Sequence, residues 1–367
     1  MATTKVTTDV IDMSGNAGGL TWVTGTTAQQ PSGVIGEIRE DTETNRTLVY
    51  TDETGTAKWI NLKEEAISTS FTVDYLVIAG GGSGGVHQGG GGGAGGYRTS
   101  YGTVSPITLN GGTMESALSL SVGTVYVVTV GPGGAAVSGT GARANDGSNS
   151  AFSTIIISTG GGGGGTASLN VGNAYDGGSG GGGSGDRATT GGSAVTSPVI
   201  QGYAGGNGIE GASGNRSAGA GGGAADPGDA ATLGNGGDGG IGLENEITGA
   251  TGVFYAGGGG GSAQGNGGTG GSGVGGTGAS NTTGTTSGSP NTGGGGGGND
   301  GDTGGQNSGA GGSGIVILRC TKATATLGSG ITVNSTAGPG SVNGVAISGT
   351  SDYYYSATAG TGTITFS

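Results

Sequence analysis

Val73-Asp74-Tyr75-Leu76-Val77-Ile78-Ala79 runs without a break into Gly80-Gly81-Gly82. A β-branched run of strand length meets a block that has no side chains at all. The same junction recurs along the chain. Thr124-Val125-Tyr126-Val127-Val128-Thr129-Val130 leads into Gly131-Pro132-Gly133-Gly134, and Ala151-Phe152-Ser153-Thr154-Ile155-Ile156-Ile157 is soon followed by Gly160 to Gly165. Gly314-Ile315-Val316-Ile317-Leu318-Arg319-Cys320 closes the series. A plain flexible linker carries no such runs. The pattern predicts an all-β fold with little or no α-helix, built on a β-sandwich or jelly-roll core. Its strands are drawn from about 71–79, 97–101, 117–130, 151–158 and 314–320. Glycine excursions leave and rejoin this core over about 80–96, 160–185, 202–242, 257–278 and 293–313.

The chain has 367 residues and 101 glycines; 7 lie before residue 71 and 8 after residue 320, which leaves 86 between. Their blocks lack the Gly-X-Y period of collagen, and the chain has only 7 prolines. Glycine at this density excludes helix, at about 0.5–1 kcal/mol per residue relative to alanine. No apolar run approaches the roughly 20 residues of a membrane-spanning helix. What remains is polyproline II, with three residues per turn and no internal hydrogen bonds. Buried N–H and C=O groups must find partners, and without Cβ atoms neighbouring segments approach closely enough to supply them. Each such bond returns only about 0.5–1.5 kcal/mol net. The excursions are therefore expected to form a dense lattice anchored on the β core.

Composition divides the chain into an N-terminal module at 1–70, a glycine-rich domain at 71–320 and a C-terminal β segment at 321–367. In the first, Gly36-Glu37-Ile38-Arg39-Glu40, Arg46-Thr47-Leu48-Val49-Tyr50 and Lys58-Trp59-Ile60-Asn61-Leu62 read as a three-stranded meander. Its apolar residues are too few for a stable lone unit, so pairing with copies of itself is expected. The last segment reads as four short strands at 330–334, 344–348, 351–356 and 362–366.

The chemistry available is narrow. One histidine, His87, leaves little room for a Ser-His-Asp triad or a histidine metal cluster. One cysteine, Cys320, forbids an internal disulfide and reads as a small buried hydrophobe. A formal charge of −13 with scattered basic residues argues against nucleic acid. Asn299-Asp300-Gly301-Asp302 and Gly237-Asp238-Gly239 lack any calcium-loop pattern and are better explained as Asx-turns. No phosphate-binding loop and no singled-out carboxylate pair is present. No catalytic residue, metal or cofactor is expected, and the protein is not expected to be an enzyme.

Two stretches carry a resemblance. Gly25-Thr26-Thr27-Ala28-Gln29-Gln30-Pro31, Gly36-Glu37-Ile38-Arg39, Asp41-Thr42-Glu43-Thr44-Asn45-Arg46 and Lys58-Trp59-Ile60-Asn61-Leu62 resemble a module that recurs in bacteriophage tail-fibre and appendage proteins. It departs from that module at Gln30, where arginine is common, and at Glu40, where tyrosine is common. Tyr75-Leu76-Val77-Ile78-Ala79-Gly80-Gly81-Gly82 and Gly311-Gly312-Ser313-Gly314-Ile315-Val316-Ile317-Leu318-Arg319 are similar to the borders of the glycine-rich domain of phage tail-fibre and adhesin proteins. The resemblance implies a homotrimeric virion appendage that acts outside the host cell and attaches to other tail proteins through its N-terminal module. Its partner would be a host cell-surface glycan or outer-membrane protein.

In such an adhesin the receptor-binding residues would sit where bulky side chains interrupt the glycine runs. The candidates are Tyr175, Asp176, Arg187, Tyr203, Phe254 and Tyr255, with the cluster Tyr353, Tyr354 and Tyr355 in the tail. Capping of the glycine lattice is the competing role for Tyr175, Tyr203, Phe254 and Tyr255. For the tail cluster, strand alternation allows one face in the core and the other against a neighbour or ligand, and β packing is the favoured role. A purely structural shaft or capsid decoration shares the fold and differs in the loops. An ice-binding protein is a third, weaker alternative, because the glycine blocks vary irregularly in length.

Overall fold

In the computed structural model, the described residues are 70–367 except 103–113, 140–141, 168–172, 187–188, 212–214, 282 and 302–306; the strands Val23–Gly25, Ile38–Asp41, Arg46–Thr51 and Lys58–Asn61 are described in addition. Residues 1–69 and 70–367 form two compact units.

The first unit holds a four-stranded sheet. Ile38–Asp41, Arg46–Thr51 and Lys58–Asn61 form an antiparallel meander, with Ile38 opposite Val49 and Tyr50 opposite Trp59. Val23–Gly25 adds a fourth strand, parallel to the first of these. Three residues are too few to carry a period-two signal, so alternation alone does not reveal that strand.

The second unit is built on one large antiparallel sheet that nearly closes on itself. Its spine runs Ile156–Ser158, Ser150–Phe152, Val125–Val130, Tyr353–Phe366, Ile315–Cys320, Ser70–Ile78 and Tyr97–Thr99, in that spatial order. Ile315–Cys320 is central and buried at every position. Val316 stands opposite Val77 on one side and Ala357 on the other. Alternation then divides the side chains between two cores. Val73, Tyr75, Val77, Val316, Leu318 and Tyr355 join one cluster, closed by Phe152, Leu327, Ile364 and Phe366. Leu76, Ile78, Ile315 and Ile317 face a second cluster with Tyr97, Leu243, Ile247 and Tyr255. Each fully buried side chain of this size contributes about 1.5–3 kcal/mol. Two-sided burial explains why these strands read as continuous apolar runs.

Two of the short strands expected in the tail are a single one, Tyr353–Phe366. Ala357-Thr358-Ala359-Gly360 looks like a turn by composition. Its backbone is held on both sides, however: Gly360 is opposite Val130 on one flank and Ile331 on the other.

The described glycine segments carry almost no helix or strand, yet most of their backbone N–H groups are hydrogen-bonded. Along 80–85, the N–H groups of Gly80 and Ser83 bond to Ser148 and Asn145, those of Gly81 and Gly84 to Gly312 and Gly309, and those of Gly82 and Gly85 to Gly93 and Gly90. Each neighbour returns after three residues, the period of a polyproline II helix. The segment 90–96 repeats the pattern. Gly90, Gly93 and Gly96 reach Gly165, Gly162 and Thr159; Gly91 and Ala94 reach Gly219 and Gly222; Gly92 and Gly95 reach Gly296 and Gly293. Each of these two rods is thus tied to three others. A Cβ placed on Gly81 would fall closer than 3.0 Å to the backbone of Gly294, so glycine is dictated there by close approach. Where a rod faces outward, side chains appear at the same interval, as at exposed Asn266 and Thr269 around buried Gly268.

Candidate functional site

Among the described residues of the second unit, bulky and charged side chains gather on at least two surfaces. The first is an edge of the glycine lattice. Half-buried Tyr175 begins the rod 175–185 and gives its carbonyl oxygen to Gly181. The Arg143 guanidinium lies 3.8 Å above the centre of the Tyr175 ring and pairs with Asp146 at 2.9 Å. Asp146 in turn accepts the N–H of Gly163 at 2.9 Å. Asp176 is exposed, and its carboxylate accepts the N–H of Ser193 at 2.6 Å. The acidic and amide side chains here serve the edge amides that no further rod can satisfy. Asp238 does the same, accepting the N–H and hydroxyl of Thr269 at 2.6 and 2.9 Å. That bond crosses between rods, in contrast to the local turn expected. Asn299 does form such a turn, accepting the N–H of Gly301 at 2.6 Å. Half-buried Tyr203 is anchored through its backbone to Gly223 and Gly180. Asp186 pairs with Arg216 at 3.3 Å. Arg187 lies outside the described residues.

The other candidates are divided between core and rim. Phe254 and Tyr255 form a two-stranded hairpin with Leu243 and Glu244. Phe254 is half-buried, whereas Tyr255 belongs to the second core, and burial pushes its phenol up to about 12. Tyr355 is 1% exposed in the first core and donates its hydroxyl to the carbonyl of Lys322 at 2.9 Å. Tyr353 packs against that same core and Tyr354 against the second. Tyr255 and Tyr355 therefore act in packing and present no surface to a receptor. The tail strand has core on both faces, and Tyr353 and Tyr354 are half-buried there.

The second surface is a cleft of about 420 Å³ beside the second core. Arg319 ends the inward-facing row Ile315, Ile317, Arg319 and is 8% exposed. Its guanidinium is held three ways. Nε donates to an Asp352 carboxylate oxygen at 2.9 Å, a terminal nitrogen pairs with that same oxygen at 2.9 Å, and the other terminal nitrogen donates to the Tyr101 hydroxyl at 2.5 Å. It also lies 4.5 Å from the Tyr101 ring centre. One wall is the loop Glu246–Ala250 and the other the turn Ile347–Thr350. They meet at Gly249, where a Cβ would press on Ile347.

Asn245 fixes the first wall. It is 1% exposed and donates to the Tyr97 hydroxyl at 2.8 Å and the Tyr101 carbonyl at 2.9 Å. Its own oxygen accepts the N–H of Ile247 at 2.9 Å. Burial raises the Tyr97 phenol well above its ordinary range, against the pull of the Asn245 bond. The second wall is closed by Thr350, which donates its hydroxyl to Ile347 at 3.0 Å, and by Ile347, whose N–H reaches the Asp352 carbonyl at 3.0 Å.

None of the cleft residues was marked by sequence reasoning. The available signal was a charged residue, Arg319, closing an otherwise apolar strand. Among the described residues no three His, Cys, Asp or Glu side chains gather as ligands for a metal ion.

The fold is thus a β protein with a second scaffold made of glycine backbone. The chain belongs to the glycine-rich domain family, whose profile matches residues 61–321. No curated protein matches the chain.

Proposed function

We propose that the protein is a component of a bacteriophage virion, a tail fibre or related appendage, that engages the host surface by binding and without bond chemistry. The observation that carries this reading is the lattice edge. There Tyr175, stacked under Arg143, and the exposed Asp176 are held on rods whose backbone is cross-linked on several sides. Aromatic and charged groups on so stiff a support lose little freedom on contact with a partner. Support also comes from the likeness of residues 20–63 to tail-fibre modules. On this reading the N-terminal module joins other virion proteins and assembles as a homotrimer, and the glycine-rich domain meets a surface glycan or outer-membrane protein.

Phage carrying Tyr175→Ala and Tyr203→Ala together are expected to assemble normally and to adsorb about tenfold more slowly or worse. Unchanged adsorption overturns the reading. A purely structural role is the second reading, favoured by the bonds that tie Asp176 and Asp146 to lattice amides. Labelled protein that binds no candidate host cell selects it.

A further inference from the structure

The cleft beside Arg319 is lined by two opposite charges that do not meet. Glu246 and Arg319 face the same space, yet no ion pair joins them, and the Glu246 carboxylate has no partner among the described residues. The Arg319 charge is already balanced by Asp352, so Glu246 leaves the cleft with a net negative charge. Asp352 and Tyr101 engage all three guanidinium nitrogens, yet two of the five N–H groups have no protein partner among the described residues. The Thr248 and Ser348 hydroxyls add groups that both donate and accept. The walls are preformed, since Asn245 and Thr350 fasten both loops. A volume of about 420 Å³ lies within the usual range for small-molecule sites.

We propose that this cleft binds a neutral polyhydroxylated ligand, a sugar residue. A carboxylate or phosphate accepts from Arg319 but is repelled by Glu246. An ammonium group donates to Glu246 but meets the free guanidinium protons. A hydroxyl serves both, donating to the carboxylate and accepting from the guanidinium. A neutral sugar leaves neither side unpaired; a zwitterionic amino acid is the competing class, and it enters the test as a control. The site is made of residues other than the Tyr175 edge and does not depend on the virion reading.

The test uses the full chain, with D-glucose, D-galactose and N-acetyl-D-glucosamine as probes and D-glucuronate, putrescine and the zwitterion glycine as charge controls. Saturation-transfer NMR and calorimetry read the binding. At least one neutral sugar is expected to bind, and Glu246→Ala is expected to weaken it about tenfold or more. Ala250→Trp fills the space from an exposed position and is expected to abolish binding with thermal unfolding unchanged. The proposal is overturned if no neutral sugar binds, if binding survives both substitutions, or if glucuronate, putrescine or glycine binds more tightly. Sugar binding without cell binding would leave the cleft standing and remove the adhesin reading; cell binding without sugar binding would do the reverse.

Discussion

The N–H of Gly92 lies 2.8 Å from the carbonyl oxygen of Gly296, deep in the glycine lattice. The Gly92 carbonyl is taken in turn by Gly259 at 2.9 Å. A Cβ at Gly92 would sit closer than 3.0 Å to the backbone of Gly82 and Ser83. Those atoms are main chain on a third rod and cannot swing aside. Gly92→Ala is expected to lower stability by about 3 kcal/mol or more, through overpacking and strained hydrogen bonds. Ala230→Ser, on the exposed side of a rod, is expected to stay within about 0.5 kcal/mol. Chemical denaturation of the two variants checks the contrast.

Asn245→Ala removes the partner of a buried tyrosine hydroxyl and of the Ile247 N–H. Leaving such groups unpaired costs about 1–3 kcal/mol. The loss should be local as well as global. Amide exchange at 246–250 is expected to quicken more than exchange in the central strand Ile315–Cys320, and equal change at both would contradict the role given to Asn245.

Asp352→Ala leaves the nearly buried Arg319 with Tyr101 as its remaining partner. The expected cost is about 1–3 kcal/mol. Adding Arg319→Met to Asp352→Ala is expected to cost less than the two single changes together, because the second removes the charge that the first strands. Additive effects in denaturant titrations would show that the pair is not coupled.

Burial pushes the Cys320 thiol from 9.0 up to about 11. The folded state therefore holds this proton more tightly than the unfolded state does. Its contribution to stability is complete below pH 9.0 and is lost as pH climbs toward 11. The Tyr75, Tyr97 and Tyr355 phenols are raised by burial too, so their contributions are lost further into the alkaline range. Thiol labelling at pH 8 should proceed only as fast as the protein opens, and the melting temperature should fall steadily above pH 9. Rapid labelling of the native protein would contradict the burial of Cys320.

The β borders were legible because 71–79 and 314–320 are apolar on both faces, which few other structures explain. The lattice was legible as a necessity, since so many buried amides without side chains must bond to one another. The partners were not. Whether Gly91 reaches Gly219 or some other glycine depends on packing among chemically identical segments. The tail strand was misread at Ala357–Gly360 because strand pairing on both flanks overrode a turn-like composition. The cleft was out of reach for a related reason. Asn245, Tyr101, Arg319 and Asp352 come from separate excursions and strands, and no local spacing links them.

The three-residue alternation of lattice partners also bears on how the domain forms. The rod 90–96 accepts from the nearby segment 79–85, but the groups it donates to, at 159–165, 219–222 and 293–296, are distant in sequence. That rod is incomplete until chain from far downstream has arrived, and closure of such loops precedes any return in hydrogen bonds. A topology of this kind folds slowly, with high contact order. The same cross-linking means that no rod leaves without breaking bonds to several others. The endurance of the domain is then set by the rate of its first opening as well as by its equilibrium stability.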